Sequence, residues 1–283
     1  MSRDSRGVLY VVATPIGNLD DITLRALKTL KAVALVAAED TRRTGILLRH
    51  FGVETPILSV HEHNEHARVA RIAAHLAKGE SVALVTDAGT PGISDPGATL
   101  VGAVRKAGFR VEPIPGASAV AAAISASGIN SHGFTFLGFP PIRSKDRKHW
   151  FEALVTGAQD RLIVFFEAPH KVKKTLEELA LLVKRPIMVG REITKLHEEF
   201  VEGLPGELMS LLESPNGEFT VMIPPAHPAD KASAPASDEE VVELFGQITD
   251  SGEGGSKREV ARLVGERLGM TAKQVYDIME RNK

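Results

Sequence analysis

The stretch that most constrains this chain is residues 86–97, TDAGTPGISDPG, which follows the apolar run of residues 81–85. That run predicts a buried strand, so the stretch begins where the strand ends. In an open α/β sheet this edge is where ligands bind. Three glycines and two prolines make the stretch bent and stiff, and its polar groups are Asp87, Thr90, Ser94 and Asp95. Because it contains little that can build a core, it predicts a ligand-binding rim, and a long structural turn is the alternative.

Strand-like runs alternate with amphipathic helical segments through most of the chain. Residues 8–27 predict a strand, a turn over TPIGN and a helix that begins at Asp20 or Asp21. Further strands are expected at residues 81–85, 110–114, 135–137, 162–166, 187–189 and 219–223, and further helices at residues 64–78, 100–107, 117–127 and 170–184. This alternation predicts an α/β protein with a largely parallel or mixed sheet covered by helices.

Shifts in composition divide the chain into segments. Pro115 and Gly116 mark a junction, so we expect α/β domains over residues 7–115 and 116–224. Residues 225–237 are rich in Pro, Ala and Ser and lack a core-forming pattern, which is typical of a linker. The remaining residues, 238–283, predict a small domain of two or three short helices.

This C-terminal segment resembles a helix-turn-helix. An apolar face, a glycine turn and a capped second helix form the pattern, in the order Val260, Leu263, Val264, Leu268, Gly269, Thr271, Val275 and Ile278. A nucleic-acid module is one interpretation. Because residues 238–283 hold ten acidic residues and seven Lys or Arg, a structural bundle that packs on the body or on a partner is the alternative.

The composition excludes several classes of function. The 283 residues are 43% hydrophobic and 25% charged, as in ordinary soluble proteins. No apolar run approaches the roughly 20 residues that span a bilayer, and residues 1–6 are too short and polar for a signal peptide, so we expect a cytoplasmic protein without membrane contact. The absence of cysteine excludes disulfides and thiol nucleophiles. Neither a dinucleotide nor a P-loop glycine motif is present, and His61, His63 and His66 lack metal-ligand spacing, so we expect no metal.

Residues 142–150, IRSKDRKHW, are the candidate for nucleic-acid contact. The formal net charge of −2 provides no global attraction for RNA, so a local patch is needed. Phosphates could be bound here by a loop with four cations ahead of Trp150, namely Arg143, Lys145, Arg147 and Lys148. The alternative is a solvent-exposed loop whose charges are hydrated and bind no ligand.

Across residues 7–224 the chain resembles one known family in its motifs and in their order. The motifs are TPIGN, AEDTRRT, HEHNE, TDAGTPGISDPG, PGASA, FLGFPP, FFEAPHK and REITKLHEE. They resemble those of the ribosomal RNA small subunit methyltransferase I family, a branch of the tetrapyrrole methylase superfamily. The resemblance implies two α/β domains of the tetrapyrrole methylase type with S-adenosyl-L-methionine in the cleft between them. It also implies a homodimer that methylates the 2′-oxygen of a cytidine ribose in the decoding region of 16S ribosomal RNA, either free or in the small ribosomal subunit.

The same resemblance implies which residues bind the cofactor, mostly through backbone atoms. They are Pro15, Asp87, Ala88, Gly89, Ser118, Ala119 and Phe166, with Ser94 as a further candidate. Small side chains at these positions would admit the adenosine and methionine parts of the cofactor.

Methyl transfer to a ribose hydroxyl requires an in-line approach and loss of the hydroxyl proton. Orientation is worth about 7 to 11 kcal/mol, whereas a general base contributes about 3 to 5 kcal/mol, so positioning should dominate. Glu192 and Lys195 of REITK are the candidates for the smaller contribution, with Glu39, Asp40 and Arg42 of AEDTR as alternatives. A buried Lys beside a carboxylate either acts as a base or stabilises the emerging alkoxide. The other interpretation is that these motifs form salt bridges between the domains.

The sequence is also compatible with two further functions. The same cleft could serve methylation of a small molecule such as a tetrapyrrole, although the basic segment and the C-terminal module argue against it. A non-catalytic RNA-binding or ribosome-assembly factor is the third possibility.

Overall fold

The computed structural model describes residues 6–61, 64–212, 214–226, 237–251, 256–268 and 270–282. The chain divides into two compact units, Met1–Pro224 and Pro225–Lys283. Each unit has its own apolar core. No helix within the described ranges combines the length and the apolar character that crossing a membrane requires.

The first sheet of Met1–Pro224 consists of parallel strands. They are β1 (Val8–Val12), β2 (Leu35–Ala38), β3 (Ile57–Ser59), β4 (Val82–Val85) and β5 (Arg110–Ile114). Their spatial order is β3-β2-β4-β1-β5. Helices cover both faces: α1 (Leu24–Ala32), α2 (Thr41–His50), α3 (Glu65–Ala77) and α4 (Ala98–Lys106).

Side chains of the central strand β4 alternate between two cores. Leu84 packs with residues of α3 and α4, whereas Val85 packs with residues of α1 and α2. A parallel strand buried on both faces is apolar throughout, which explains why residues 81–85 form an apolar run. Polar side chains therefore lie in the loops at the carboxyl ends of these strands.

The second sheet is mixed. Its strands are β6 (Phe134–Phe136), β7 (Leu162–Glu167), β8 (Ile187–Arg191), β9 (Glu199–Gly203) and β10 (Phe219–Ile223). The order is β6-β7-β10-β8-β9, and only the β6–β7 pair is parallel. Its helices are α5 (Ala119–Ser127), α6 (Ser144–Gly157), α7 (Pro169–Leu182) and the short α8 (Leu208–Leu211). The alanine-rich α5 packs on one face through Val120 and Ala123, and α6 and α7 cover the other face.

The two sheets and their helices confirm the predicted α/β class. The strands at residues 110–114 and 219–223 have the predicted bounds, and the other predicted strands and helices of Met1–Pro224 match the structure within a few residues. The domain boundary at residues 115 and 116 falls between β5 and α5 and stays a prediction, because both sheets belong to one compact unit.

The first helix begins later than predicted. Asp20 and Asp21 belong to a short 3-10 turn (Leu19–Asp21), in which the Asp20 amide donates a hydrogen bond to the Asn18 side chain. The N-cap of α1 is Thr23, whose Oγ1 accepts a hydrogen bond from the Ala26 amide at 3.0 Å. Aspartate and threonine are both good cap residues, so the sequence pattern did not separate the turn from the helix.

The basic segment is another difference from expectation. We expect residues 142–150 to form a loop, but α6 begins at Ser144 and contains most of them. Its apolar face, which includes Trp150, Phe151 and Leu154, packs on the second sheet. The charged residues at the start of the helix conceal that apolar periodicity. The edge strand β9, EFVEG, also has no predicted counterpart.

The described residues of the unit Pro225–Lys283 form three helices. They are α9 (Asp238–Ser251), α10 (Lys257–Leu268) and α11 (Ala272–Arg281), and their apolar faces form one core. As predicted, Thr271 caps α11, and its side chain and Gln274 form a capping box. Gly269 and most of the expected linker, residues 227–236, lie outside the described residues.

Glu65 joins the HEHNE motif to the end of the 86–97 loop. Its carboxylate is buried, with a relative exposure of 4%, and accepts hydrogen bonds from the amides of Gly97 and Leu100. These amides lie at the N-terminus of α4, where donors lack partners inside the helix. Glu65 therefore anchors both α4 and the last residue of the loop.

We expect Glu65→Ala to destabilise the protein, because two buried amides lose their acceptor, each at a cost of about 1 to 3 kcal/mol. Chemical denaturation measures the change in the free energy of unfolding. Glu54→Ala is the control, since Glu54 is exposed and such substitutions change stability by about 0.5 kcal/mol or less. Equal effects of the two substitutions would contradict the anchoring role of Glu65.

Candidate functional site

A cleft of about 330 Å³ lies between the two sheets of Met1–Pro224. The first sheet contributes loops from the carboxyl ends of β1 and β4, with Ile16, Ala88, Gly89, Thr90, Ile93, Ser94 and Asp95. The second half contributes the start of α5, segments that follow β6 and β7, and the start of β10, with Ser118, Ala119, Phe139, Phe166, Glu167, Ala168, Pro169, Glu218, Phe219 and Thr220. The cleft volume lies in the range of small-molecule sites, which is roughly 300 to 1,000 Å³.

The structure brings together six of the eight residues expected to bind the cofactor. The six that line the cleft are Ala88, Gly89, Ser94, Ser118, Ala119 and Phe166. Pro15 and Asp87 instead line a neighbouring hollow of about 210 Å³. Asp87 is engaged there, since its Oδ1 accepts the Asp40 amide at 3.1 Å and its Oδ2 lies 3.6 Å from Nη1 of Arg43. Thr90, which the sequence analysis does not assign to the cofactor, lines the cleft in place of Asp87. The signal for it is its position in the same TDAGTPGISDPG motif.

The loops on the first-sheet side are fixed by backbone hydrogen bonds. Thr14 donates its amide to the Gly89 carbonyl at 2.9 Å, and Gly89 donates its amide to the Thr14 carbonyl at 3.0 Å. Gly89 has a φ of +85°, and Ser94, which is not a glycine, has a φ of +60°. Gly89 thus forms part of the cleft wall, but its own amide is already used, although the cofactor is expected to be bound mostly through backbone atoms.

Aromatic side chains form the opposite wall. Phe166 packs edge-on against Phe136, with ring centroids 4.9 Å apart, and its centroid lies 5.5 Å from that of Phe139. Phe139 comes from the FLGFPP motif and is half exposed at the mouth of the cleft. The cleft therefore combines an aromatic surface with small residues and a few carboxylates.

Glu192 and Lys195, the expected catalytic residues, lie together outside the lining of the cleft and reach it only through the lining residue Glu218. Nζ of Lys195 donates to Oε1 of Glu192 at 2.9 Å and to Oε2 of the cleft residue Glu218 at 3.1 Å. Partial burial lowers the pKa of Lys195, but the two carboxylates outweigh it, so the net pKa is raised. Burial likewise raises the pKa of Glu192, and the Lys195 ammonium and the Glu218 amide overcome it, so the net pKa is lowered. Both groups are therefore charged at neutral pH, and Lys195 is a cation rather than a base.

The backbone at this motif is also unusual. Glu192 has a φ of +51° and Thr194 has a φ of +69°, both in the left-handed region that costs free energy for residues other than glycine. The Oγ1 atom of Thr194 is buried and has no hydrogen-bond partner among the described residues. Strain of this kind persists where the surrounding structure determines it, which makes REITK a precisely held segment.

The alternative catalytic residues of AEDTR lie at the end of β2 and outside the cleft lining. Asp40 caps α2, and hydrogen bonds from the Arg42 side chain and amide hold its pKa well below its usual range. Arg42 is largely exposed. Oε2 of Glu39 accepts the Asp87 amide at 3.3 Å, and burial raises the pKa of Glu39. Through their hydrogen bonds with Asp87, Glu39 and Asp40 hold the start of the 86–97 loop.

The four basic residues of the segment at residues 142–150 separate into two groups. Arg143, Lys145 and Lys148 are exposed around the first turn of α6. Arg147 is instead packed inside, where its guanidinium donates to Glu178 and to Oγ1 of Thr175 at 2.8 Å and lies over the Phe151 ring. Its side chain is only 11% exposed. The expected phosphate contact of Arg147 is therefore not supported, because its donors hold α6 against α7.

Gly17 joins the two halves of the site. A β-carbon at this position would lie 2.5 Å from Cγ of Lys195, 2.8 Å from Oγ1 of Thr194 and 3.1 Å from the Ile193 carbonyl oxygen. Only glycine permits this approach. The TPIGN loop after β1 thus packs directly on the REITK segment after β8.

The remaining cleft carboxylate of interest is Asp95, which the sequence indicated only as a polar loop residue. Burial raises the pKa of Asp95 to about 6, with the Thr86 hydroxyl opposing and the charges of Glu39 and Asp87 adding to the rise. No three potential metal ligands of the described residues come together. His61 and His66 are among those residues, and His63 is outside them.

Comparison with known proteins decides the family. The family described as Tetrapyrrole (Corrin/Porphyrin) Methylases matches residues 8–209. The chain belongs to this family. Membership confirms the expected fold type, which solved relatives share, and makes the chain a methyltransferase.

Similar proteins of this family include two named ribosomal RNA small subunit methyltransferase I. The protein from Synechocystis sp. is 41% identical over 276 residues, which are 96% of this chain and 97% of that protein. The one from Haemophilus influenzae is 45% identical over 226 residues, 78% of this chain and 79% of that protein. Among solved structures, uroporphyrin-III C-methyltransferase from Thermus thermophilus, in complex with S-adenosylhomocysteine, has a TM-score of 0.54 at 18% identity and covers 76% of this chain and 96% of its own. That likeness establishes the fold.

We expect Gly17→Ala to lower the free energy of unfolding by about 1 to 3 kcal/mol, the usual cost of forcing a methyl group into a packed contact. Gly102→Ala is the matched control, because Gly102 lies in α4 with open space around its Cα. A helical Gly→Ala change there should be neutral or stabilise by up to about 1 kcal/mol. If Gly17→Ala unfolds with the same midpoint as Gly102→Ala, the close approach of TPIGN and REITK is wrong.

Proposed function

We propose that this chain transfers a methyl group from S-adenosyl-L-methionine to the 2′-oxygen of a cytidine ribose in 16S ribosomal RNA. The observation that carries the proposal is the cleft, whose lining contains six of the residues expected for the cofactor, in a chain that matches relatives named for ribosomal RNA methylation along 96% of its length. Methylation of a tetrapyrrole is the second candidate, because the family description includes such enzymes.

The chemistry of the cleft fits the cofactor. The aromatic surface of Phe166 and Phe139 suits a purine ring, and the small residues Ala88, Gly89 and Ala119 leave room for the rest of the molecule. The positive charge of a sulfonium and of an amino group is matched by carboxylates of the lining. We assign the cofactor to Ala88, Gly89, Thr90, Ser94, Ser118, Ala119 and Phe166.

The cofactor supplies, when bound, a methyl group on a positively charged sulfur, which is already a good electrophile. The chain must then orient the ribose and exclude water, and orientation is worth about 7 to 11 kcal/mol. The fixed loops at Gly89 and Gly17 provide this rigidity. We assign to Lys195 the stabilisation of negative charge on the ribose oxygen and to Glu192 the positioning of Lys195, since that lysine is held as a cation.

Arg143, Lys145 and Lys148 are the proposed contacts to RNA phosphates. They surround the N-terminus of α6, where free amides and the helix dipole also favour anions. We infer that the protein acts in the cytoplasm, where ribosomal subunits assemble. The homodimer implied by the family resemblance stays a prediction, which sedimentation equilibrium measures.

A labelling experiment tests the function. The purified protein is incubated with labelled S-adenosyl-L-methionine and with 16S RNA, small ribosomal subunits that lack this modification, or a tetrapyrrole precursor. We expect label in the ribose of one cytidine of the RNA or the subunit. Label in the tetrapyrrole alone would support the second candidate, and binding of the cofactor without transfer to any substrate would support an assembly factor.

The salt dependence of RNA binding tests the basic surface. Three phosphate contacts predict that log affinity falls with log salt at a slope of about −2, at roughly 0.7 per contact for single strands. Lys145→Ala/Lys148→Ala should reduce the slope to about −0.7, whereas the control Lys31→Ala/Lys106→Ala, which removes the same charge from exposed sites on α1 and α4, should leave it unchanged. Equal slopes for both double variants would remove α6 from the RNA-binding surface.

A further inference from the structure

We propose that Asp95 accepts the proton of the ribose 2′-hydroxyl during methyl transfer. This role rests on the proposed function and adds to it the proton acceptor that the pair Glu192 and Lys195 does not provide. It also departs from the sequence expectation, in which REITK or AEDTR supplies the base.

Elimination among the cleft carboxylates points to Asp95. The described lining contains three of them, Asp95, Glu167 and Glu218. Both oxygens of Glu167 are used inside the protein, one by the Ala168 amide at 2.8 Å and the other by the Thr175 hydroxyl. Glu218 is paired with the Lys195 ammonium at 3.1 Å. Asp95 forms no ion pair with the described residues and is the carboxylate that remains for a substrate.

The loop geometry fixes Asp95 at the cleft. Ser94 before it has a φ of +60°, and Gly97 after it has a φ of +123°. The amide of Gly92 donates to the Pro96 carbonyl at 3.2 Å, which closes the loop around Asp95. The Glu65 carboxylate also accepts a hydrogen bond from the Gly97 amide. A group that removes a proton must be held within hydrogen-bond reach of it, and this closed loop limits the motion of the carboxylate.

The surroundings of Asp95 favour proton uptake near neutral pH. The groups that act on it are the Thr86 hydroxyl and the carboxylates of Glu39 and Asp87, and the charge of Asp87 is partly offset by Arg43 at 3.6 Å. Burial and the two carboxylates raise its pKa to about 6. An acceptor whose pKa lies near the working pH is ionised and still basic enough to take a proton.

The proposed step balances in atoms and charge. The ribose oxygen forms a bond to the methyl carbon while its proton passes to a carboxylate oxygen of Asp95. The bond between the methyl carbon and sulfur breaks, and its electron pair stays on sulfur. Asp95 ends neutral, and it returns its proton to solvent after the product leaves.

Asp95→Asn tests the role, because it keeps the size of the side chain and removes its basicity. We expect the single-turnover rate on RNA at pH 7.5 to fall by about 100- to 10,000-fold, the usual contribution of a general base. Calorimetric binding of S-adenosylhomocysteine should stay within about threefold, since the lost group acts on the substrate. Asp95→Glu should recover part of the rate, and the exposed Asp277→Asn should match the wild-type protein.

The pH profile provides a second readout. The kcat/KM for RNA in the wild-type protein should fall below about pH 6, following the raised pKa of Asp95. The residual activity of Asp95→Asn should not show this fall below pH 6. A merely structural role for Asp95 would lower the rate without removing this fall.

Stability gives a readout that needs no substrate. Folding raises the pKa of Asp95 from 3.8 to about 6, so its stabilising contribution is complete below pH 3.8 and is lost as the pH rises through 6. The asparagine variant lacks this dependence. We therefore expect Asp95→Asn to gain stability relative to the wild-type protein between pH 4.5 and pH 7.5, as measured by urea denaturation.

Three results would overturn the inference. They are an Asp95→Asn rate within threefold of the wild-type rate, a loss of S-adenosylhomocysteine affinity as large as the loss of rate, and a stability difference that does not change with pH. In each case methylation of RNA by the wild-type protein would leave the proposed function intact. If the wild-type protein methylates no RNA at all, the proposed function fails and the role of Asp95 fails with it.

Discussion

The close packing of the TPIGN loop is the contact on which the rest of the site depends. On one side Thr14 exchanges two backbone hydrogen bonds with Gly89, and on the other side Gly17 lies against Lys195 and Thr194. One loop thus touches both the 86–97 loop and the REITK segment. A further hydrogen bond, from the Thr90 hydroxyl to the Ala117 carbonyl at 3.4 Å, joins the 86–97 loop to the segment before α5. Gly17 must be glycine because any side chain would fill the space that Lys195 occupies.

The site contains two charged groups in opposite environments, Lys195 and Asp95. Lys195 is held by Glu192 and Glu218, which keeps it ionised and stationary. Asp95 is destabilised in its ionised form, because burial and the neighbouring charges of Glu39 and Asp87 raise its pKa. A cation that stays charged and a carboxylate that titrates near neutrality are the two environments expected of a proton-transfer site. They arise from different sheets, so neither motif alone contains them.

The sequence predicted the elements better than it predicted contacts. The apolar runs that became β4, β7 and β10 are informative because buried strands need continuous apolar residues. The motif that encloses the cleft was also found, including Ala88, Gly89 and Ser94. The role of Arg147 was missed, because its pairing with Glu178 joins residues 31 positions apart. The same limit applies to Asp95, whose pKa is raised first by burial and then by the charges of Glu39, from the end of β2, and Asp87, from its own loop.

The mouth of the cleft argues for a large substrate over a small one. Ile93 and Phe139 line the cleft and yet are 47% and 51% exposed, and Leu196, next to Lys195, is 93% exposed. A small molecule held inside the cleft would leave Leu196 in water, whereas a nucleic acid that presents one ribose to the cleft would cover the rim and offer bases for these apolar side chains. Such covering would also exclude water from the reacting groups, which would strengthen the proposed electrostatic interactions of Lys195 and Asp95 with the ribose oxygen. On the proposed function, the exposed apolar rim and the internal charges would therefore belong to one arrangement, since a bound macromolecule would shield the charges from water.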